Sequence, residues 1–188
     1  MPPGELGAGT YVVHPHRGSL GWQVTVPDGW SNGDDWYLYP TSLGGPEGPD
    51  GAAAVFLFDP EVFVDSCDFD AGLTDTDTVA ELVEAIQAKA DWVVSAPTDA
   101  TIGGYSGQRL DVELPADLSV CGDDFYLVFG EPGTENGFYA QGPSHLFRAW
   151  ILDVDGQTIG LVRNPFAATP ADKVAEAEAI IGSSVITP

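Results

Sequence analysis

The sequence predicts an α+β domain in which an antiparallel β-sheet is flanked by two main helices. Strand-sized apolar runs recur along the chain between turn residues, and two segments have helical periodicity. The helices fall once in mid-chain and once at the end. The strands therefore group into hairpins instead of alternating with helices, as they would in a parallel, doubly wound sheet. We expect one globular domain over residues 1–188.

The predicted strands are residues 21–26, 36–40, 53–58, 92–97, 105–114, 125–129, 147–154 and 158–163. The last two form the clearest hairpin, because apolar residues alternate on both sides of Asp155-Gly156. An Asp-Gly pair supplies the two positive-φ positions that a type I′ turn needs. None of the apolar runs approaches the roughly 20 residues required to cross a bilayer, so we expect no membrane span.

The first helix is predicted over 78–90 and the second from Thr169 onward. The first opens with the capping box Thr78-Val79-Ala80-Glu81. The second has Pro170 at its first helical position, where a missing N–H is tolerated, and Gly182 as a left-handed C-terminal cap. The apolar stripes are Val79, Leu82, Val83 and Ile86 in the first helix, and Val174, Ala177 and Ile181 in the second.

The charge balance excludes several classes of partner. The 188 residues include 29 Asp and Glu against 6 Lys and Arg, a formal net charge of −23. Nucleic-acid binding depends on clustered cations that neutralise phosphates, and this chain does not have them in sufficient number. An anionic membrane surface is excluded as a partner for the same reason.

Two cysteines, Cys67 and Cys121, lie too far apart for a CxxC motif and are too few for a structural zinc site. They form either one disulfide or two buried free thiols. The disulfide is favoured because both residues lie in acidic, turn-rich stretches, where a core thiol is unusual. A disulfide in turn favours an extracytoplasmic location.

No catalytic constellation is recognisable. The segment around Ser106 does not have the register of a GxSxG nucleophile elbow, and we interpret His145 as a surface or edge imidazole. His14 and His16 are spaced to face the same side of a strand, so they are either two ligands of an incomplete metal site or a chance pair. We predict no cofactor and no metal.

An acidic stretch covers residues 65–77. It offers the carboxylate ligands that calcium prefers, but it departs from the EF-hand pattern because Gly72 stands at the third ligand position. Acidic residues that precede a helix also stabilise its N-terminus. The stretch is therefore either a solvated loop leading into the first helix or a weak cation site. Its acidic residues are Asp65, Asp68, Asp70, Asp75 and Asp77.

An aromatic cluster near the N-terminus is the best candidate for a ligand surface. Trp30, Trp36 and Tyr37 flank a polar loop that contains Asp34 and Asp35. Aromatic rings beside carboxylates suit the face of a sugar or a cationic ligand. Core packing is the competing interpretation, because neighbouring residues of a strand point to opposite faces and one set should be buried.

The order of several short segments resembles exported actinobacterial domains with the Mog1/PsbP-like fold, and in particular the LpqN/LpqT-type mycobacterial lipoproteins. The resemblance spans most of the chain. The segments that carry it are Val26-Pro27-Asp28-Gly29-Trp30, Phe58-Asp59-Pro60, Asp65-Ser66-Cys67, Gly104-Tyr105-Ser106-Gly107, the hairpin around Asp155-Gly156, and Ile180-Ile181-Gly182-Ser183-Ser184-Val185. It implies an α/β/α sandwich, a secreted or membrane-tethered setting, and action by docking onto other proteins.

Two functions remain open. The first is a non-catalytic extracytoplasmic binding or docking module whose acidic surface recognises a basic protein surface, a cationic ligand or a sugar. The second is a secreted hydrolase or carbohydrate-active protein that uses a carboxylate pair near the aromatic cluster. A deep pocket with two carboxylates under Trp30 or Trp36 would favour the enzyme. An acidic face with the aromatic rings buried would favour docking.

Overall fold

The fold is that of a computed structural model, which describes residues 1–13, 20–33, 36–43, 52–122, 125–133, 137–140, 142–165 and 169–187. His14, His16, Asp34 and Asp35 lie outside the described residues. The helices are α1 (Val79–Gln87) and α2 (Ala171–Gly182). The strands are β1 (Gly4–Leu6), β2 (Gly9–Val13), β3 (Gly21–Val26), β4 (Trp30–Gly33), β5 (Tyr37–Pro40), β6 (Ala52–Phe58), β7 (Glu61–Asp65), β8 (Asp68–Leu73), β9 (Val93–Val94), β10 (Thr98–Ile102), β11 (Tyr105–Glu113), β12 (Leu127–Gly130), β13 (Gly137–Tyr139), β14 (Leu146–Val154), β15 (Gln157–Pro165) and β16 (Val185–Thr187).

The strands form three antiparallel sheets within the described part of the chain. The main sheet has the order β1-β4-β5-β6-β15-β14-β11-β10, and β9 also pairs with β11. A second sheet has the order β13-β12-β7-β8, and a third has the order β16-β3-β2. The predicted α+β class, with a mostly antiparallel sheet and two helices, is confirmed.

The central strands of the main sheet are buried on both faces, because alternate residues enter different hydrophobic clusters. In β6, Phe56 and Phe58 belong to a cluster that includes Ile180 of α2. Val55 and Leu57 of the same strand belong to a second cluster, which contains residues of α1. Each helix thus covers an apolar set that the period-two geometry of the strands presents.

The hairpin predicted around Asp155-Gly156 is confirmed. Asp155 and Gly156 have φ of 53° and 86°, and Val154 pairs with Gln157 across the turn. The Asp153 carboxylate also accepts a hydrogen bond from the Gly156 N–H at 2.8 Å. This turn fixes the register of β14 against β15 over its whole length.

The predicted capping box is confirmed, but the second helix differs from its prediction in two respects. The Thr78 Oγ1 accepts from the Glu81 N–H at 3.2 Å, and the Glu81 carboxylate accepts from the Asp77 N–H at 3.0 Å. Pro170 is the N-cap residue of α2 and not its first helical residue. The left-handed cap at Gly182 is wrong, because α2 ends at a right-handed Ser183 whose hydroxyl accepts a hydrogen bond from Thr25 N–H at 2.8 Å.

The interpretation of His145 as a surface imidazole is wrong. The residue is 5% exposed, and its ring lies 6.1 Å from the rings of both Phe138 and Phe147. Burial lowers the pKa of His145 to about 4, and a hydrogen bond with the Asn164 side chain only partly opposes this. The sequence places His145 just before a strand, but the aromatic residues that bury it come from two different strands.

The disulfide between Cys67 and Cys121 is confirmed, with a Cα–Cα distance of 4.8 Å. It joins the turn between β7 and β8 to a short 3-10 turn at Ser119–Cys121. Ser66 lies in the same turn, and its carbonyl accepts a hydrogen bond from the Leu127 N–H at 2.7 Å. The β7–β8 turn of the second sheet is therefore held by a covalent bond to Cys121 and by a hydrogen bond to β12.

Replacing both cysteines, as Cys67→Ser with Cys121→Ser, should lower the free energy of unfolding by roughly 4 kcal/mol, the loop-closure value for this sequence separation. Urea unfolding monitored by tryptophan fluorescence measures the change. Reductant should destabilise the native protein by a similar amount and leave the double variant unchanged. A reductant effect of equal size on the double variant would contradict this assignment.

Protonation of His145 should destabilise the fold in mildly acidic solution. The pKa is 6.5 for an ordinary histidine and about 4 in the folded chain, so the unfolded state binds the proton first as the pH falls. The difference corresponds to about 3 kcal/mol of unfolding free energy, present above pH 6.5 and lost progressively toward pH 4. The variant His145→Gln should therefore lose less stability than the native protein across this interval. An NMR titration that gave His145 a midpoint near its ordinary value would refute the assignment.

Candidate functional site

The structure separates the residues of the predicted aromatic cluster. Trp30 is 0% exposed and belongs to the hydrophobic cluster under α2. Its indole N–H donates a hydrogen bond of 2.8 Å to the Glu176 carboxylate, which Lys173 also contacts at 2.8 Å. Trp30 therefore fastens β4 to α2 and presents no ring face at the surface.

Trp36 and Tyr37 are partly exposed and pack against the other hydrophobic cluster. Their rings meet edge-to-face at 4.9 Å, and Tyr37 lies 6.1 Å from the Tyr39 ring. Since Asp34 and Asp35 fall outside the described residues, the ligand surface predicted for this segment stays a prediction.

A different surface combines exposed aromatic rings with carboxylates. Phe69 of β8 is 45% exposed and Phe125, just before β12, is 64% exposed. Both rings lie beside the turn that the disulfide holds. We call the surface formed by Phe69, Phe125, Asp65, Asp68 and Asp70 the acidic ledge.

Two clefts of about 310 Å³ each lie on either side of Phe69. One is lined by Asp68, Asp70 and Phe125, and Cys67 forms part of its wall. The other is lined by apolar residues of β7 and β8 together with Glu61 and Glu131. Phe69 is thus a ridge between two hollows, each of which can accept a side chain of a partner.

Contacts with neighbouring aromatic rings hold both exposed rings in place. The Phe69 ring lies 5.4 Å from the buried Phe63 ring, and Phe125 lies 4.5 Å from the ring of Tyr139. Next to Phe125, the buried Tyr126 hydroxyl accepts a hydrogen bond from the Trp92 indole at 2.7 Å and donates one to Asp91. Because Tyr126 is anchored inward, Phe125 points outward from the start of the strand.

Glycine makes the second cleft possible at Gly130 of β12. A Cβ atom there would lie 2.8 Å from the Leu73 side chain and 3.0 Å from the Phe63 ring. Both groups line the same cleft. Any larger residue at this position would push the apolar floor of the cleft outward.

The local turns of the acidic ledge are built by its carboxylates. Asp65 accepts a hydrogen bond from the Cys67 N–H at 2.8 Å, and Asp68 accepts one from the Asp70 N–H at 2.9 Å. Such Asx contacts stabilise tight turns. One oxygen of each carboxylate is thereby directed inward, and the charges of Asp65, Asp68 and Asp70 remain exposed.

Further acidic groups surround Glu61 at the second cleft. Burial raises the pKa of Glu61, and the neighbouring charges of Asp75, Asp59 and Asp77 raise it further. Carboxylates close enough to raise the pKa of Glu61 define a region of negative potential. A cation placed there would relieve this repulsion.

The one described cation beside this region is already engaged. Lys89 donates to the Phe63 carbonyl at 2.8 Å and to the Val64 carbonyl at 3.3 Å, and its ammonium lies 5.6 Å from the centre of the Trp92 ring. Burial lowers the pKa of Lys89. Its ammonium is hydrogen-bonded to the backbone of β7, and it attracts the charges of Asp91 and Asp65 without forming an ion pair with either.

The sequence prediction of a solvated loop over residues 65–77 is only partly correct. Residues 68–73 form β8, the edge strand of the second sheet, and only 74–78 lead into α1. Within the described residues, no three ligand-type side chains lie close enough together to hold a metal ion. In the sequence, the feature that could have predicted the acidic ledge is Asp68-Phe69-Asp70, where an apolar ring lies between two acidic residues.

Among the residues that the structure describes, we find no helix with the length and apolar character needed to cross a membrane.

Comparison with known proteins identifies a fold. No protein-family model and no curated protein matches the chain. The crystal structure of LpqN, involved in cell envelope biogenesis of Mycobacterium tuberculosis, is similar with a TM-score of 0.50 and 15% identity, over 96% of this chain and 91% of that one. The solution structure of cyanobacterial PsbP from Synechocystis matches with a TM-score of 0.38 and 13% identity, over 88% of this chain and 86% of that one. The LpqN-like resemblance expected from the sequence is confirmed as a likeness of fold.

Proposed function

We propose that the chain is a non-catalytic, extracytoplasmic docking module that binds a basic segment of a partner protein at the acidic ledge. The observation that supports this most strongly is the position of Phe69, an exposed ring between two clefts and bordered by carboxylates. A lysine or arginine side chain meets the negative border, and an apolar neighbour fills a cleft. We also propose that the helices flank the sheet in an α/β/α sandwich arrangement.

The edge position of β8 supports a partner in extended conformation. β8 pairs with β7 on one side and ends the second sheet on the other within the described chain. An edge strand offers backbone N–H and C=O groups to an added strand. Side chains of an extended segment alternate in direction, so neighbouring side chains on one face can enter the hollows beside Phe69.

The cellular setting is proposed from the disulfide and from the fold. Disulfides persist in oxidising compartments, and the bond between Cys67 and Cys121 supports the acidic ledge directly. LpqN, which has a similar fold, is involved in cell envelope biogenesis. We extend an envelope-associated setting to this chain as part of the proposal.

The hydrolase alternative has less support. It needs a carboxylate pair beneath an accessible tryptophan, whereas the Trp30 ring is buried and its nearest carboxylate, Glu176, is paired with Lys173. Trp36 and Tyr37, with Asp34 and Asp35, remain a proposed secondary surface for a sugar or a cationic ligand.

Aromatic contact at the acidic ledge can be tested with a short synthetic peptide in which lysine alternates with leucine. We expect Phe69→Ala and Phe125→Ser each to weaken binding roughly tenfold, because exposed aromatic anchors carry a large share of interface energy. Val185→Ser is the matched control, since Val185 is similarly exposed at 57% but lies on β16. Isothermal titration calorimetry measures the affinities. Equal weakening by Val185→Ser would overturn the assignment of the site.

The electrostatic part is tested by neutralising the ledge as Asp65→Asn, Asp68→Asn and Asp70→Asn, which retains an oxygen for the Asx turns. Peptide affinity should fall roughly tenfold, and the dependence of affinity on salt should become shallower, because fewer charges attract the lysines. The control replaces the exposed Glu5, Glu84 and Asp99 with their amides. If both triple variants lose the same affinity, the attraction comes from net charge and the docking site is refuted.

A further inference from the structure

The second cleft, beside Phe69, opens on one face of the second sheet. Glu61 and Phe63 of β7 are two residues apart, so their side chains lie on the same face of that strand. Leu73 of β8 is the register partner of Phe63, and Gly130 of β12 is the register partner of Glu61. Because register partners share a face, this face carries a carboxylate, two apolar side chains and one position without a side chain.

The floor of this cleft is an aromatic ring outside the two hydrophobic clusters of the core. Phe63 is only 2% exposed, yet it belongs to neither cluster. Its ring lies 5.4 Å from the Phe69 ring, and a Cβ atom at Gly130 would approach it to 3.0 Å. An aliphatic chain that enters this opening of about 310 Å³ would therefore meet apolar surface.

Glu61 is the carboxylate of this cleft that a ligand can reach. It is partly exposed, whereas Glu131, which also lines the cleft, is 3% exposed and accepts a hydrogen bond from the Phe58 N–H at 2.9 Å. The neighbouring charges with the largest effect on the pKa of Glu61 are all negative and raise it. A cation beside Glu61 gains more than it would beside an isolated carboxylate, because it also offsets this repulsion.

The hydrogen bonding of Glu61 favours lysine over arginine. The Thr76 N–H already donates a hydrogen bond to the Glu61 carboxylate. Arginine pairs best with a carboxylate through two parallel N–H groups that meet both oxygens. An ammonium group is a compact charge that needs contact with only one oxygen. A carboxylate with one donor already in place is therefore better matched to lysine.

The shape of the cleft also suits lysine. Four methylene groups separate the lysine ammonium from the backbone, and such a stem lies along apolar surface while the charge stays at the polar edge. Phe63, Leu73 and Phe69 line the cleft and supply that apolar surface. The charge of Glu61 lies on the same sheet face as Phe63, within the same cleft.

We propose that the second cleft is a lysine-selective pocket, in which the methylene groups of a partner lysine pack on Phe63 and Leu73 and its ammonium pairs with Glu61. The pocket rests on the docking function proposed above and names the basic residue that the partner supplies. Gly130 sets the depth of the pocket, because a Cβ atom there would lie 2.8 Å from the Leu73 side chain and push it into the cleft.

A peptide series tests the selectivity. The probe is a short peptide in which leucine alternates with serine and one central residue is lysine, arginine or norleucine. Isothermal titration calorimetry should show the arginine peptide about fivefold weaker than the lysine peptide, and the norleucine peptide about tenfold weaker. Norleucine keeps the aliphatic chain without the charge, and arginine keeps the charge without the compact ammonium. An arginine peptide that binds as well as the lysine peptide would overturn the pocket and leave the docking surface intact.

The ion n-butylammonium, which is the lysine side chain without its backbone, separates the pocket from the docking function. In NMR titrations at about 0.15 M salt, it should shift the Leu73 methyl signals saturably and lower the pKa of Glu61, since a bound cation favours the carboxylate. The arginine counterpart, n-propylguanidinium, should bind several-fold more weakly. Leu73 signals that do not respond would refute the pocket. Binding of n-butylammonium without binding of any peptide would refute the docking function alone.

Glu61→Gln removes the charge of the pocket and keeps its shape. It should weaken the lysine peptide about tenfold and leave the norleucine peptide unchanged, a combination that loss of folding does not produce. Glu84→Gln is the matched control, because it removes the same charge from an exposed position on α1. Equal losses in the two variants would show diffuse attraction and contradict the pocket.

Gly130→Ala tests the depth of the pocket. It should weaken the lysine peptide several-fold, because the added methyl group displaces Leu73 into the space that the lysine stem needs. Gly142→Ala is the control, since a Cβ atom at that position meets open space. Unchanged affinity in folded Gly130→Ala protein would refute the position assigned to the lysine stem.

Discussion

The alternation of side chains along β6, β14 and β15 is the constraint on which the packing of both faces of the main sheet depends. Residues next to each other, such as Val55 and Phe56, enter different hydrophobic clusters. A slip of one residue in register would exchange the two sets across the sheet. The Asp155-Gly156 turn prevents that slip between β14 and β15, and it thereby also places Arg148 beside Arg163 at the far end of the hairpin.

The turn after β6 connects the main sheet to β7 and β8, which carry most of the acidic ledge. Asp59, with a φ of 44°, donates its N–H to the Thr158 carbonyl at 2.8 Å, and its carboxylate accepts from the Thr158 N–H at 3.1 Å. This double contact ends the pairing of β6 with β15 and lets the chain leave the main sheet as β7. The second sheet, and with it Phe69, is therefore positioned by the strands that set the core.

The structural features that could be predicted from the sequence are those formed by residues close together in the chain. The Asp-Gly hairpin and the capping box at Thr78 each depend on residues that are neighbours in the chain, so their pattern is complete in the sequence. Burial of Trp30 depends on Glu176, and burial of His145 depends on Phe138 and Phe147, all brought close by the fold. Strand β8 was missed because its acidic residues have low strand propensity, which pairing with β7 overrides.

The positions of the Lys and Arg side chains determine where the excess negative charge of the protein is exposed. Arg148, Arg163 and Lys173 are paired with carboxylates of α2, and Lys89 is bound to backbone carbonyls. Arg148, Arg163 and Lys173 thus neutralise carboxylates on the α2 side of the main sheet. Among the described residues, no Lys or Arg forms an ion pair with Asp65, Asp68 or Asp70 of the acidic ledge, although Lys89 attracts Asp65 at longer range. Solubility alone would not require this separation, since it depends mainly on the total charge.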